Sequence, residues 1–144
     1  MFGRIGLTIM FFLTLTWNLF GQVPTLRINY FPRDNGLLSS SITSVTQDST
    51  GFIWISSRDG LYKYDGYGFT GYFSKQDDST SIPSNNINHL FLDSKDRLWI
   101  ATAMGVCYYN KDLDNFIRVA DSRNYAGLEG INIPQVSEDL KGNI

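Results

Sequence analysis

The sequence predicts an all-β fold made of repeated four-stranded antiparallel units, and three observations carry that prediction. First, residues 42–65 recur at 87–110, an offset of 45 with seven of 24 positions identical. Second, the apolar period after residue 21 is two, the strand period, and not the 3.6 of a helix. Third, the central strand of each unit is apolar on both faces. Phe52 and Trp54 point one way and Ile53 and Ile55 the other, so that strand is buried from both sides.

The elements follow in chain order. Residues 1–21 combine Arg4, an apolar run from Ile5 to Leu15, and no further charge until Arg27. That is the pattern of a secretory signal peptide, with cleavage expected between Gly21 and Gln22. An uncleaved anchor is the alternative, although Ile5 to Phe20 is short of the roughly 20 residues a bilayer needs. No cysteine follows the run, which argues against a lipid anchor. Residues 26–31 read as one strand before the first unit, of the kind that closes a ring by joining its last unit. Ile42 to Gln47 is the first strand of the unit, and Asp48-Ser49-Thr50-Gly51 the turn that ends it. Aspartate suits that start because its carboxylate accepts a local backbone N–H. Phe52 to Ser56 is the second strand. Arg58-Asp59-Gly60 turns into the third, Leu61 to Tyr64, and Asp65-Gly66-Tyr67-Gly68 into the fourth, Phe69 to Phe73. The units are about 42–73, 87–119 and an incomplete 133–144. In the last, Ile133, Val136, Asp139, Gly142 and Ile144 fall 91 positions after Ile42, Val45, Asp48, Gly51 and Ile53. Stacked four-stranded units of this length, buried on both faces, are blades of a β-propeller. The fold class expected is therefore an all-β propeller fragment, residues 22–144 forming its N-terminal part. By itself such a stretch is expected to expose a sheet face and to associate.

Composition removes several functions. Twelve basic against 14 acidic residues give a net charge of −2, without the basic surplus that phosphate contacts need. The single Cys107 excludes an internal disulfide and the single His89 a multi-histidine metal centre. No cofactor and no catalytic or metal site is expected.

The residues Asp34-Asn35-Gly36-Leu37-Leu38-Ser39-Ser40-Ser41-Ile42, then Gln47 to Gly66 and Ile82-Pro83-Ser84-Asn85-Asn86-Ile87 closely resemble the two-component regulator propeller repeat. The turn, the aromatic strand, the Gly-Leu and the Tyr-Asp-Gly occur in order. Ser57 in place of threonine, Asp96 in place of the turn glycine, and Ala101 to Met104 depart from the pattern. The resemblance implies the periplasmic sensor of a hybrid two-component system of the Bacteroidetes type. It implies two propellers of about seven blades, an Ig-like domain, a membrane helix and a cytoplasmic histidine kinase with receiver and DNA-binding output. It further implies an oligosaccharide ligand released from glycans and control of transcription. The partners implied are that ligand, the rest of the same polypeptide and a second copy of it as a homodimer, with no nucleic-acid contact by this stretch.

Each tempting residue has a plain structural reading. Trp54 and Trp99 hold the same repeat position between isoleucine or leucine neighbours, which marks blade-to-blade core and not sugar-stacking platforms. Asp48, Asp93 and Asp139 sit at turns and cap them; their spacing is no calcium pattern. His89 aligns with Ser44 on a first strand with no nucleophile motif around it. Cys107 aligns with Tyr62 and reads as a small buried apolar group. Asp77-Asp78-Ser79-Thr80-Ser81 reads as a solvated acidic loop. In an up-and-down sheet the second-to-third-strand turn and the inter-blade loop share one face. That face carries Arg58-Asp59 with residues 74–86, and Ala103-Met104 with residues 120–132, and these positions differ between the blades. Divergent loops on a repeated scaffold are where ligands are met, so Arg58 and Asp59 are the candidate ligand contacts. The leading function is a non-enzymatic sensor; the alternatives are an exported lyase-like propeller enzyme or a secreted scaffold.

Overall fold

The computed structural model describes residues 36–37, 41–119 and 130–144. The expected signal peptide (1–21), the expected strand at 26–31 and loop positions 120–129 lie outside them. Eight strands form two sheets. β1 (Ile42–Gln47), β2 (Ile53–Ser57), β3 (Leu61–Tyr64) and β4 (Phe69–Tyr72) make the first, and β5 (Ile87–Leu92), β6 (Leu98–Thr102), β7 (Gly105–Asn110) and β8 (Asn115–Arg118) the second. Each sheet is antiparallel in chain order, β1-β2-β3-β4 and β5-β6-β7-β8, and there is no α-helix among the described residues.

Three strand ends differ from expectation, the first being that β2 runs on to Ser57 instead of Ser56. β2 begins at Ile53 because Phe52 closes the turn: its N–H donates to Asp48 Oδ1 (3.1 Å) and its carbonyl accepts from the Asp48 N–H (3.1 Å). β4 ends at Tyr72, and the Phe73 ring instead packs edge-on to Tyr62. A β-bulge recurs at the same place in both sheets, between Ile42 and Ser44 and between Ile87 and His89. The β7–β8 hairpin is two residues longer than β3–β4, since Tyr64 pairs with Phe69 but the equivalent Tyr109 pairs with Phe116.

Burial explains the apolar central strand. One core lies between the sheets and joins Trp54 and Leu61 of the first to Leu90, Leu98, Ile100 and Tyr109 of the second, with Ile82 of the linker. A second core covers the other face of the second sheet, where Trp99, Ala101 and Val106 meet Val136, Ile133 and Ile144 of the third copy. Every residue of β6 is buried as a result. The third copy repeats the turn: the Asp139 N–H donates to the Asn143 carbonyl (2.9 Å) and the Gly142 N–H to the Asp139 carbonyl (3.0 Å). In the first sheet, Val45 is 59% exposed where its counterpart Leu90 is 4% exposed. The face that Leu90 turns to a neighbouring blade is uncovered at Val45 among the described residues.

Gly60 is a testable backbone constraint. Its φ is +153°, and a Cβ there would lie 2.7 Å from Phe73 Cε1 and 3.3 Å from the Tyr72 carbonyl oxygen. Gly60→Ala is expected to destabilise the intact polypeptide by about 1–2 kcal/mol, read from urea unfolding. A neutral result would show that the Phe73 ring swings aside and that the φ carries no strain.

Candidate functional site

The strand order places two sets of loops at opposite ends of the sheets. At one end are the β2–β3 and β6–β7 turns and the linker between sheets; at the other are the β1–β2, β3–β4, β5–β6 and β7–β8 turns. Arg58 and Asp59 are exposed at the first end. Their frame is the same in both blades: Ser57 Oγ accepts from the Asp59 N–H (3.0 Å) and donates to the Gly60 carbonyl (3.0 Å), while Thr102 Oγ1 does the same with Met104 (3.1 Å) and Gly105 (2.8 Å). A hydroxyl on the last strand residue therefore presets the turn, and only the two tip residues vary. Neither Arg58 nor Asp59 lines either of the clefts between the blades.

The loop expected to be solvated is pinned instead. Ser81 and Ile82 are buried. Arg118 on β8 donates from Nε to the Ser81 carbonyl (3.1 Å) and from Nη2 to the Asp78 carbonyl (3.1 Å), and the Phe116 N–H donates to the Thr80 carbonyl (2.8 Å). Asp77, Ser79 and Thr80 are exposed, and Asp78 is half-buried. The guanidinium that holds the segment comes from 37 to 40 residues away, so charge spacing within the loop carried no sign of it.

The seam between the blades holds a polar cluster on an aromatic bed. Asp48 Oδ1 accepts the Thr50 N–H (2.9 Å) and Oδ2 accepts the Trp54 indole N–H (2.8 Å). Asp93 repeats both, with Lys95 N (2.9 Å) and Trp99 Nε1 (2.8 Å). Each turn aspartate thus anchors the tryptophan of its own blade. Burial works against the Asp48 charge, but the Thr50 hydroxyl and the Trp54 indole hold its pKa below the ordinary carboxylate value. Lys63, paired across the strands with Trp54, places Nζ 5.3–5.5 Å from the ring centres of Phe52, Trp54, Tyr72 and Tyr109. Asp114 Oδ1, at the tip of the next blade's hairpin, accepts from Tyr72 Oη (2.7 Å), from Tyr109 Oη and from Lys63 Nζ (3.4 Å). Burial disfavours the Lys63 ammonium, yet Tyr109 and Asp114 hold its pKa above the usual value. Burial likewise opposes the Asp114 charge, and the tyrosine hydroxyls and Lys63 hold its pKa down. Phenol Tyr72 is pushed up by burial and by the carboxylate it bonds. An ion pair and two phenols from two blades thus meet in one cluster.

The turns also clasp one another. Ser49 gives its N–H (3.3 Å) and its hydroxyl to Asp96 of the next blade, which Lys111 also pairs. Ser94 gives the same two groups to Glu138 of the third copy (2.8 and 2.7 Å). Asp96 stands at φ +60° where the first blade has Gly51, and this double contact accounts for a carboxylate at a glycine position.

Two clefts flank Asp114. One, about 280 Å³, is lined by Phe52, Lys63, Tyr109, Lys111, Asp48 and Thr50. The other, about 220 Å³, lies between β4, the linker and β8. His89 sits half-buried on β5 with Nδ1 lacking a hydrogen-bond partner. Cys107 is wholly buried, and burial pushes its thiol pKa up, which makes it inert as a nucleophile. The sequence reading missed Lys63 and Asp114. The legible signal for the first was a lysine in register with a buried tryptophan; for the second there was none.

Comparisons with known proteins agree with this geometry. The two component regulator propeller model matches residues 36–59 and 81–104. Histidine kinase P4 of Formosa agariphila is 36% identical over 75 residues, 52% of this chain and 6% of that protein. Two crystal structures from B. thetaiotaomicron superpose on it, both extracellular domains described as belonging to hybrid two component systems. The domain of BT3049 gives a TM-score of 0.68 at 26% identity over 79% of this chain and 16% of its own; that of BT4673 gives 0.52 at 25% identity over 65% and 13%. The chain therefore spans a small fraction of the length of each relative. Repeat spacing, blade geometry and relatives converge on one conclusion: residues 36–59 and 81–104 of this chain are two component regulator propeller repeats.

Proposed function

We propose that this chain is part of the ligand-sensing propeller of a hybrid two-component sensor, exported to the periplasm and non-catalytic in itself. Its parent is a histidine kinase, its ligand an oligosaccharide released from a glycan, and its output the transcription of genes that use that glycan. The observation that carries the reading is the blade pair itself. It matches the regulator repeat twice, and its folded shape recurs in extracellular domains of two such systems. The seam chemistry suits a scaffold and not an enzyme: both oxygens of Asp48 and of Asp93 are taken by donors within the fold. Arg58 and Asp59 are proposed as ligand contacts on the divergent-loop face. The test is autophosphorylation of the full-length protein in membranes with and without glycan digests, alongside the Arg58→Ala/Asp59→Ala double variant. A digest that raises phosphorylation of the natural protein, and raises it less in the variant, is the expected result. Cleavage of the glycan by the exported region, with no phosphorylated species, would sink the sensor reading.

A further inference from the structure

We propose that Gln47 is the polar anchor of a blade-docking face on the first sheet, accepting the turn hydroxyl of a further blade of the same repeat in the same polypeptide. The proposal rests on the repeat geometry and is independent of the sensor reading. Three observations point there. First, this face is the counterpart of one that is already covered. Cross-strand pairing puts Val45, Gln47, Ile53 and Ile55 on one side of β1 and β2. Leu90, Leu92, Leu98 and Ile100, each 45 positions on, share the matching side of β5 and β6. That second side joins Trp54 and Leu61 of the first blade in one core. Ile87 is wholly buried there, whereas its counterpart Ile42 is 42% exposed.

Second, a single clasp recurs at both described seams. The serine that follows the capping aspartate, Ser49 or Ser94, gives its N–H and its hydroxyl to one carboxylate of the next blade. That carboxylate stands either just before the next turn aspartate, as Glu138 does, or at the turn glycine position, as Asp96 does. Third, the first blade has the acceptor arrangement of the third copy, with Gln47 in the place of Glu138 and Gly51 in that of Gly142. Both side chains lie over the glycine of their turn. A Cβ on Gly51 would be 4.0 Å from Gln47 Nε2, and one on Gly142 would be 3.5 Å from Glu138 Oε1. Gln47 Nε2 donates to the Gly51 carbonyl (3.1 Å), so Oε1 is the atom left to accept.

The occupant follows from these contacts. It is a four-stranded blade with an apolar side like that of Trp54 and Leu61, and its first turn reads aspartate and then serine or threonine. The relatives run far beyond the matched stretch, and a blade carried on the same polypeptide meets the face at high effective concentration. Gln47 is neutral where Glu138 and Asp96 are charged, so this clasp lacks their charge assistance and is the weakest of the three.

Alkylation of the intact polypeptide by iodoacetamide, read by mass spectrometry, tests the joint. The thiol introduced by Val45→Cys is expected to react at least about tenfold more slowly than one introduced by Met104→Cys at an exposed turn, since only opening of the joint exposes it. Adding Gln47→Ala is expected to speed the reaction at position 45 about tenfold, while Gln47→Glu holds it at or below the rate with glutamine. Ile42→Cys serves as the second probe should Val45→Cys lower the melting temperature. Equal rates at the probe and at position 104 overturn the docking face. Slow alkylation that becomes fast on dilution shows a second copy on the face and overturns the occupant from the same polypeptide. Slow alkylation that Gln47→Ala leaves unchanged overturns the clasp. Each of these results leaves the sensor reading to the phosphorylation assay.

Discussion

Trp54→Ala is expected to lower the stability of the intact polypeptide by about 3–5 kcal/mol, a large fraction of a typical domain's margin. Trp54 is fully buried, and its ring meets Tyr72 at 5.7 Å and Tyr109 of the next blade at 4.6 Å between centroids. Truncation opens a cavity at the blade seam. It also removes the indole donor from Asp48 Oδ2 and one of the four rings beneath the Lys63 ammonium. Thermal unfolding together with ligand titration separates structure from contact. A normal melting temperature with abolished ligand binding would show that the ring serves the ligand and would overturn the core assignment.

Asp93→Ala is expected to cost about 3–4 kcal/mol, because one carboxylate satisfies four donors. Oδ1 accepts the N–H groups of Lys95 (2.9 Å) and Arg97 (2.8 Å); Oδ2 accepts Arg97 Nε (2.6 Å) and the buried Trp99 indole (2.8 Å). Asp93→Asn keeps one oxygen but turns an amide N–H toward another donor, so it is expected to recover only part of the loss. The pH dependence follows from the same contacts. Burial raises the Asp93 pKa, and the Trp99 indole with the Arg97 backbone and guanidinium more than reverse that, leaving it below the ordinary 3.8. A depressed carboxylate pKa contributes stability that is complete above the unfolded value of about 3.9 and is lost as pH falls through the folded one. The melting temperature is therefore expected to hold through neutral pH and to drop below about pH 4, with a shallower drop in Asp93→Ala. Equal acid limbs in the two proteins would show that Asp93 is not what titrates.

What could be read in the chain were features that act over a few residues. The strands β1, β3 and β5 follow from short apolar segments bounded by turn residues and repeated at one offset, and the Asp48, Asp93 and Asp139 turns from a carboxylate within reach of N–H groups two and four residues on. The burial of Trp54 and Trp99 followed from their recurrence at one repeat position. The indole bonds to the same aspartates were not read, although each pair is only six residues apart, because turn capping already accounted for the carboxylate.

The sequence by itself determined the repeat, the four-strand unit, the strand that is apolar on both faces and the turn that closes it, since each is a matter of local periodicity and backbone hydrogen bonding. Only the tertiary structure decided which polar side chains meet. Lys63 reaches Asp114 across 51 residues, Tyr72 reaches it across 42, and Arg118 reaches the linker across 37. Those partners are neighbours because two sheets stack at one angle and one register, and no spacing along the chain encodes that angle. The same stacking left Arg58 and Asp59 at one end of the blades and gathered the Lys63–Asp114 cluster toward the other.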